Sequence, residues 1–239
     1  MPGTVRPVAD QASAPSPATH SQTLDRGLRA LEVLAEQPDG MTVSELAAAL
    51  GTHRAGVYRL LGPLVDHHLA VRADDGRYVL AAGLIQLAAA VKPRLRDVSL
   101  PVLQRLADDL RATAALTIRD GDEAVVALVV PPREPRMHIA YRVGMRHPLI
   151  QGSPGHVLLA TADPAPSEPE NVAIARRQGY AVSRGELLPG ATGVAAAIGS
   201  PGHEPEASVS AVWIEGIAVE DAAASVMDAA REIGAALRR

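Results

Sequence analysis

The chain contains no cysteine and no phenylalanine, and only 2% of its residues are aromatic. Without cysteine it can form no disulfide, thiolate metal site or cysteine nucleophile, and this composition is compatible with a reducing cytoplasm. Without phenylalanine its cores must be packed from leucine, valine, isoleucine and alanine, which favours close spacing of helices and strands. No apolar run reaches the length of about eighteen residues that a membrane-spanning helix needs. We therefore predict a cytoplasmic protein with no membrane partner.

The length and composition predict two globular units. The chain has 239 residues, of which 47% are hydrophobic and 21% charged. That length fits two domains better than one, and the composition is too apolar for wholesale disorder. We predict a disordered tail at residues 1–22, a helical module at 23–80, a linker helix at 81–92 and a second domain at 93–239.

Residues 23–80 are predicted to form three amphipathic helices. Ser21 or Thr23 is the candidate cap of the first helix, Thr42 or Ser44 opens the second, and Gly51 ends it. The third helix follows almost at once. Apolar residues recur at helical spacing in all three, at Leu24, Leu28, Leu31 and Leu34, then at Val43, Leu46, Ala47 and Leu50, and then at Val57, Leu60, Leu61, Leu64 and Val65.

The second and third predicted helices have the pattern of a helix-turn-helix. Ala47, Gly51 and Val57 supply the small residue, the turn and the branched apolar residue that this motif needs. Asp74-Asp75-Gly76 then separates two short alternating runs and predicts a β-hairpin. Three helices and a hairpin make a winged helix-turn-helix. The alternative is a three-helix cluster with a hairpin that serves dimerisation alone.

The outward face of the third helix favours DNA as the partner. The candidate DNA-binding residues are His53, Arg54, Tyr58, Arg59 and, in the wing, Arg77. Arg54 and Tyr58 lie one turn apart at the start of the helix, where this motif places base contacts. Residues 24–80 nevertheless contain six arginines and eight acidic residues. Positive charge must therefore be concentrated on one face for DNA to bind.

The second half is predicted to combine helices with an antiparallel sheet. Strands are expected at residues 115–119, 124–130, 136–143 and 207–214, with helices starting near Ser99 and Ala218. A further helix is expected from His156, after Gly152-Ser153-Pro154-Gly155. Its free backbone N–H groups would suit a carboxylate. An ordinary serine-capped helix is the alternative.

The sequence predicts no catalytic residue, no metal site and no cofactor. His138, His147 and His156 are nine residues apart, a spacing that matches no metal motif. The run at residues 152–155 lacks the spacing of a nucleophile elbow, and Pro154 would remove the amide of an oxyanion hole. Glycine-rich phosphate or dinucleotide motifs are absent.

Four stretches resemble the IclR family of bacterial transcriptional regulators. Residues 24–87 resemble its DNA-binding domain and linker helix, residues 100–129 and 141–160 the first half of its effector domain, and residues 177–198 its ligand loop. The resemblance implies an α+β chain with an N-terminal winged helix-turn-helix, a linker helix and a C-terminal GAF-like α/β domain with an antiparallel sheet. It also implies a homodimer or homotetramer that binds a palindromic operator in double-stranded DNA.

The resemblance further implies an effector pocket for a small organic acid or aromatic compound. Its candidate residues are Met145, Ser153, Gly155 and His156 near the helix, and Glu186, Gly190, Gly193 and Val194 in a loop that closes over the ligand. A ligand-free sensor domain that acts only as an oligomerisation scaffold is the alternative.

Several positions depart from the family's pattern. Ala55-Gly56 replaces a serine-threonine pair whose hydroxyls can hold phosphates, and Gly193 and Ala197 stand where cysteine and proline are common. Residues 161–176 are proline-rich and shorter than usual, which alters the expected pocket wall. Gly62-Pro63 lies inside the third helix and is expected to bend or end it.

Overall fold

The computed structural model describes residues 21–134, 141–199 and 206–238. The chain forms two compact units, of which the first ends at Val91 and the second begins at Lys92. Two predictions lie outside the described residues, the tail as far as residue 20 and residues 136–140 of the strand expected at 136–143. The described end of that segment, residues 141–143, is not a strand.

The first unit is a winged helix-turn-helix followed by a short helix. Its described elements are α1 (Gln22–Ala35), α2 (Val43–Ala49), α3 (Arg54–Asp66), β1 (Ala70–Arg72), β2 (Tyr78–Leu80) and α4 (Gly83–Ala89). Ser21 caps α1, so the tail predicted to reach residue 22 was wrong at its end. Thr42 opens α2, and Gly51 follows it with a φ of +59°. The predicted motif is confirmed.

The core of the first unit is formed by Leu34, Leu46 and Leu61, which are at most 2% exposed. The buried face predicted for α1 was partly wrong, because Leu24 is 63% and Leu28 51% exposed. The buried residues of α1 are instead Gly27, Ala30 and Leu34. Leu34 is thus buried as predicted, and the small residues Gly27 and Ala30 occupy the buried positions in place of Leu24 and Leu28. On α3, Val65 was also predicted to be buried and is 36% exposed.

Of the two outcomes expected at Gly62-Pro63, a bend or an end of α3, the structure excludes the end. The helix continues to Asp66 with Pro63 inside it, and the amide of His67 donates to the Pro63 carbonyl at 3.0 Å. Proline removes one backbone hydrogen bond from a helix. Burial of Leu60, Leu61 and Leu64 on the reverse side of the same turns offsets this loss.

The wing is an antiparallel hairpin tied to the start of α2. Its register pairs Ala70 with Leu80 and Arg72 with Tyr78. The guanidinium of Arg77 donates to the carboxylate of Glu45 at 2.9 Å and to the Gly40 carbonyl at 3.0 Å. Arg77 therefore fixes the wing against the helix-turn-helix.

Glu45 is held in its charged form by this arrangement. Its pKa lies below the usual value of 4.5, first because the Thr42 backbone N–H donates to the carboxylate, then because of the Thr42 hydroxyl, and then because of the Arg77 charge. A carboxyl group with a lowered pKa in the folded state stabilises the fold above its unfolded-state pKa. That contribution is lost as the pH falls through the folded-state pKa.

We expect Glu45→Gln to lower the free energy of unfolding at neutral pH, and the difference from the native protein to shrink below pH 4.5. The reason is that acid protonates Glu45 and removes the same charge. Urea unfolding followed by circular dichroism at a series of pH values measures this difference. Glu32→Gln, which removes an exposed carboxylate of α1 that takes part in no cap, is the control. A Glu45→Gln difference independent of pH would contradict the assignment.

The second unit is an antiparallel sheet between helices. Its described elements are α5 (Pro93–Leu110), β3 (Thr113–Asp120), β4 (Glu123–Val130), β5 (Arg146–Pro148), α6 (Gly152–Leu159), α7 (Glu170–Gln178), β6 (Ala181–Arg184), β7 (Thr192–Ala197), β8 (Ala207–Trp213) and α8 (Val219–Leu237). The strand order is β5-β4-β3-β8-β7-β6, and every pair is antiparallel. Helices α5 and α8 pack on one face, and α6 covers the other. The predicted α+β fold class is confirmed.

Helix boundaries in the second unit differ from the sequence prediction at two prolines. Helix α5 begins at Pro93, six residues before the predicted start at Ser99. Proline is tolerated at the first helical position, because the backbone N–H there would have no partner within the helix. Helix α6 begins at Gly152 and not at His156, so Pro154 also lies in a first turn. Strands β5, β6 and β7 and helix α7 were not predicted, and β7 begins inside the loop expected at residues 186–194.

The predicted linker region corresponds to α4, which is shorter than residues 81–92 and has no buried residue. Ile85 is 73% and Leu87 58% exposed. Within the described ranges, no helix is both long and apolar enough to cross a membrane.

Candidate nucleic-acid interface and ligand pocket

The outer face of α3 carries the side chains predicted to contact DNA. Arg54, Tyr58 and Arg59 are exposed, and Tyr58 is exposed over 53% of its surface. His53 precedes the helix at its N-cap, where its side chain makes no capping hydrogen bond. The reverse side of α3 is packed with leucine. The face is therefore polar, cationic and backed by a rigid core.

A cavity of about 240 Å³ lies beside this face. Its lining combines cationic side chains, hydroxyls and one leucine, and includes Thr23, Arg26, Thr52, His53, Gly56, Arg59 and Leu60. Among the described residues no carboxylate lines it, so positive charge is concentrated here although residues 24–80 are net acidic. A cavity of this chemistry suits a phosphate group.

Gly56 keeps the cavity open. A Cβ at this position would lie 2.9 Å from the Thr52 hydroxyl oxygen and 3.7 Å from the His53 ring. Residues 55 and 56 carry no hydroxyl, and the space beside them is open. Thr23, Thr52 and Arg26 border that space. Sequence reasoning missed Arg26, because the packing of α1 beside α3 has no local signal.

The second unit has a small cavity between α6 and the loop of residues 185–191. It leaves about 20 Å³ for the centre of a water molecule, which is room for about one water. Its walls combine apolar side chains with a few polar groups, and include Tyr141, Ser153, Pro154, Ser183, Glu186, Leu187, Leu188, Ala191, Gly193 and Val212.

Several buried hydroxyls in and around this cavity lack a hydrogen-bond partner. They belong to Tyr141, Ser153, Thr117, Ser208 and Ser210. Strand alternation places Ser208, Ser210 and the cavity-lining Val212 on the same face of β8. Unpaired buried hydroxyls cost stability unless a ligand or water satisfies them.

Glu186 occupies the N-terminus of α6. Its carboxylate accepts a hydrogen bond from the Gly152 amide at 2.7 Å and lies 3.4 Å from Nε2 of His156. Nε2 of His156 is also 2.9 Å from the Ile150 carbonyl, and the amide nitrogen of Asn171 lies 3.0 Å from Nε2 and 3.2 Å from Nδ1. Both ring nitrogens of His156 therefore have contacts within the chain.

Burial shifts two further titratable groups near the pocket. It raises the pKa of Tyr141, since the charged phenolate would be desolvated, and the Thr117 hydroxyl nearby opposes the shift without reaching hydrogen-bond geometry. Burial also lowers the pKa of His147, which favours its neutral form. Neither group forms a metal site, and in the described parts of the chain no cluster of metal-ligating side chains occurs.

The structure brings three of the predicted pocket residues together in the cavity, namely Ser153, Glu186 and Gly193. Met145 packs beside them with Tyr141 and the two leucines of the loop, and His156 contacts Glu186 from its buried position.

Three other predicted pocket residues lie elsewhere. Val194 is fully buried on the opposite face of the sheet, where strand alternation places it in the core beneath α5 and α8. Gly155 packs against the Leu149 backbone, and Gly190 is a turn residue with a φ of +76°. The prediction missed Tyr141, Ser183 and Val212. Alternation along β8 was the available signal for Val212.

Two family models match the chain. The IclR helix-turn-helix domain matches residues 23–74, and the C-terminal domain of the bacterial transcriptional regulator IclR matches residues 87–169. The chain belongs to the IclR family. Both matched IclR domains come from transcriptional regulators and not from enzymes, as the sequence predicted.

Curated IclR-type relatives are similar over part of their length. The HTH-type transcriptional regulator Rv1719 of Mycobacterium tuberculosis is 34% identical over 145 residues, which are 60% of this chain and 55% of that protein. KipR of Bacillus subtilis is 26% identical over 143 residues, 59% of this chain and 56% of that regulator. The chain thus spans about half the length of the curated relatives it matches.

Solved IclR structures match nearly the whole chain. An IclR homologue from Microbacterium hydrocarbonoxydans, crystallised with 4-hydroxybenzoate, superposes with a TM-score of 0.80 at 27% identity, covering 91% of this chain and 99% of that one. A regulator from Alicyclobacillus acidocaldarius has a TM-score of 0.77 at 23% identity with the same coverage, which supports the fold alone.

Proposed function

We propose that this chain is a cytoplasmic transcriptional regulator that binds a palindromic operator as a homodimer or homotetramer and responds to a small organic effector. The observation that carries the proposal is the exposed cationic face of α3, which is backed by a leucine core and bordered by a cavity without carboxylates. Residues 23–80 would be the DNA-binding domain, residues 81–92 the coupling helix and residues 93–239 the sensor.

Each residue of the face has a distinct proposed role. Arg54 and Tyr58, at the start of α3, would contact base edges in the major groove. His53, Arg59 and Arg26, around the cavity, would hold a phosphate. Arg77 is less available to contact DNA, because its guanidinium already pairs with Glu45 and with the Gly40 carbonyl.

The effector pocket is proposed at the cavity beside α6. The hydroxyls of Ser153 and Tyr141 are buried and have no hydrogen-bond partner, which supports a ligand that supplies one. The small volume of about 20 Å³ favours the alternative, a scaffold that binds no ligand. A ligand must therefore displace part of the loop at residues 185–191.

We expect Arg54→Ala to weaken binding to a palindrome from the flanking intergenic DNA by about 1–3 kcal/mol. That corresponds to roughly 5- to 150-fold in affinity. The loss arises because one bidentate base contact disappears, so discrimination against altered operators is expected to fall as well. Fluorescence anisotropy with labelled DNA at several salt concentrations measures both effects.

Two further variants separate base contacts from phosphate contacts. Arg26→Ala should weaken binding to operator and to random DNA alike. It should also reduce the slope of log affinity against log salt concentration by about one, the value for one phosphate contact. Arg238→Ala removes the same charge from the exposed end of α8 and should leave affinity unchanged. Absence of salt-dependent binding to any such fragment would overturn the proposed function.

A further inference from the structure

We propose that the effector is an uncharged compound with a hydrogen-bond donor, such as an amide or alcohol, and that the pocket rejects its carboxylate counterpart. The proposal rests on the proposed function, since it concerns the same pocket. Its basis is that Glu186 already occupies the position that an effector carboxylate would take at the N-terminus of α6.

The anion position of α6 is filled from within the chain. The first turn of α6 offers few donors, because Pro154 has no N–H. The amide of Gly152 is engaged by Glu186 at 2.7 Å, and the helix dipole favours that negative charge. A ligand carboxylate would have to expel Glu186 from this bond or lie beside it as a second anion.

The pocket offers no cation to balance a second carboxylate. Glu186 is the one charged side chain among the described residues that line it. His156 is the nearest titratable group, but it is fully buried and its ring nitrogens already contact the Ile150 carbonyl, the Asn171 side chain and the Glu186 carboxylate. An unbalanced pair of carboxylates in a partly buried site is strongly disfavoured.

An uncharged donor finds complementary groups in the same place. The Glu186 carboxylate has lone pairs beyond the one that Gly152 uses, and these accept from an N–H or O–H. The Ser153 hydroxyl is 1% exposed and unpartnered, so it can bond a ligand carbonyl or hydroxyl. Leu187 and Val212 supply apolar walls.

Gly193 keeps these hydroxyls accessible. A Cβ at this position would lie 3.0 Å from the Ser153 hydroxyl oxygen and 3.2 Å from that of Ser183. Any larger side chain would therefore cover both groups. Because residue 193 is glycine, the hydroxyls of Ser153 and Ser183 form this part of the pocket wall.

Entry requires part of the loop of residues 185–191, namely the segment that carries Leu187, to move. Gly185 and Gly190 bound most of it with φ values of +69° and +76°, and the Gly185 amide donates to the Ala191 carbonyl at 2.8 Å. Leu187 lies against Gly152, where an added Cβ would come within 2.9 Å of the leucine Cγ. Displacing Leu187 opens space next to Glu186 without breaking the Gly152 bond.

The test compares matched acids and amides on the full-length protein by thermal shift. The probes are 4-hydroxybenzamide with 4-hydroxybenzoate and isobutyramide with isobutyrate, since each pair has nearly the same shape and differs in charge. A ligand that binds the folded form raises Tm. We expect an amide to bind the native protein at least about tenfold more tightly than its acid.

Variants at Glu186 should reverse this preference. Glu186→Ala vacates the anion position, so the acid is expected to gain at least about tenfold and the amide to lose affinity. Glu186→Gln keeps a carbonyl oxygen for the Gly152 amide and removes the charge, which raises acid binding even if the alanine variant is too unstable to measure. Glu215→Ala, at an exposed position, should behave as the native protein does.

The possible failures are distinguishable. An acid that binds the native protein as tightly as its amide overturns the inference and leaves the effector function standing. No shift by any probe in the native protein or either Glu186 variant overturns both the inference and the proposed effector pocket. Operator binding by the same protein samples reports separately on the DNA-binding proposal.

Discussion

Replacing Gly155 with alanine is expected to lower the free energy of unfolding of the second unit by about 3 kcal/mol. An added Cβ would lie 2.8 Å from both Cα and the carbonyl carbon of Leu149 and closer still to its oxygen. These are backbone atoms, which no rotamer change can move aside. Helix α6 would have to shift away from the Leu149 segment, and the pocket that it covers would change shape.

Trp213 provides the measurement for this variant. It is the only tryptophan of the chain and is 5% exposed on β8, so its fluorescence in urea follows unfolding of the second unit. Gly62→Ala is the matched control, because nothing lies within 4 Å of its added Cβ. It is expected to stabilise α3 by about 0.5–1 kcal/mol and to leave the Trp213 transition unchanged. A Gly155→Ala transition at the native urea concentration would contradict the close packing of α6.

Gly155 illustrates what the sequence can and cannot predict about the pocket. The run at residues 152–155 indicated that a helix follows small residues, but the helix begins at Gly152 and contains them. The sequence does not reveal whether the missing Cβ of a glycine makes room for a ligand or for a neighbouring backbone segment, because either one requires a glycine. The structure assigns Gly193 to the cavity and Gly155 to the contact with Leu149.

Most of the fold was predictable because it depends on local signals. The capping residues Ser21 and Thr42, the turn at Gly51 and the hairpin at residues 74–76 are all marked by residue types with strong backbone preferences. Three strands of the second unit, β3, β4 and β8, were predicted from their apolar runs, whereas β6 and β7 were missed because glycines next to them indicated a loop. Strand β5 has three residues, and a segment that short has no detectable period.

The features that the sequence did not predict depend on contacts between distant segments. Val194 and Gly193 are neighbours in β7, yet the sheet faces separate them into the core and the pocket. Glu186 meets the Gly152 amide across 34 positions of sequence. Arg26 joins the basic cavity only because α1 packs beside α3. The Glu186 and Arg26 contacts leave no periodic or compositional signal, and the alternation that separates Gly193 from Val194 becomes informative only once β7 is known to be a strand.

The charge distribution explains how a net acidic segment can present a DNA-binding face. Two of its acidic side chains are engaged elsewhere, since Glu45 and Asp75 both pair with Arg77 of the wing and Glu45 also accepts from the Thr42 amide. The arginines at positions 26 and 59 instead border the cavity, which no carboxylate of the described residues lines. Formal charge counted along the sequence therefore misses the separation of charge between faces.

Leu61→Ala is expected to destabilise the first unit by about 2–5 kcal/mol, because it leaves a cavity in the centre of the core. Leu61 is 1% exposed and lies on α3 with Leu34 and Leu46 in the same cluster. A small unit with one core has little stability to lose. Operator binding should therefore be lost at physiological temperature, although the contacting face of α3 keeps every side chain.

Val65→Ala separates core packing from any general effect of truncating α3. Val65 follows Leu61 by one helical turn and is 36% exposed, so its loss should cost about 1 kcal/mol or less and leave operator affinity near the native value. Circular dichroism in urea and anisotropy with the operator give both quantities for the two variants. Equal losses at the two positions would mean that α3 does not present its Leu61 side to the core, and the assignment of Arg54 and Tyr58 to the DNA-facing side would be wrong with it.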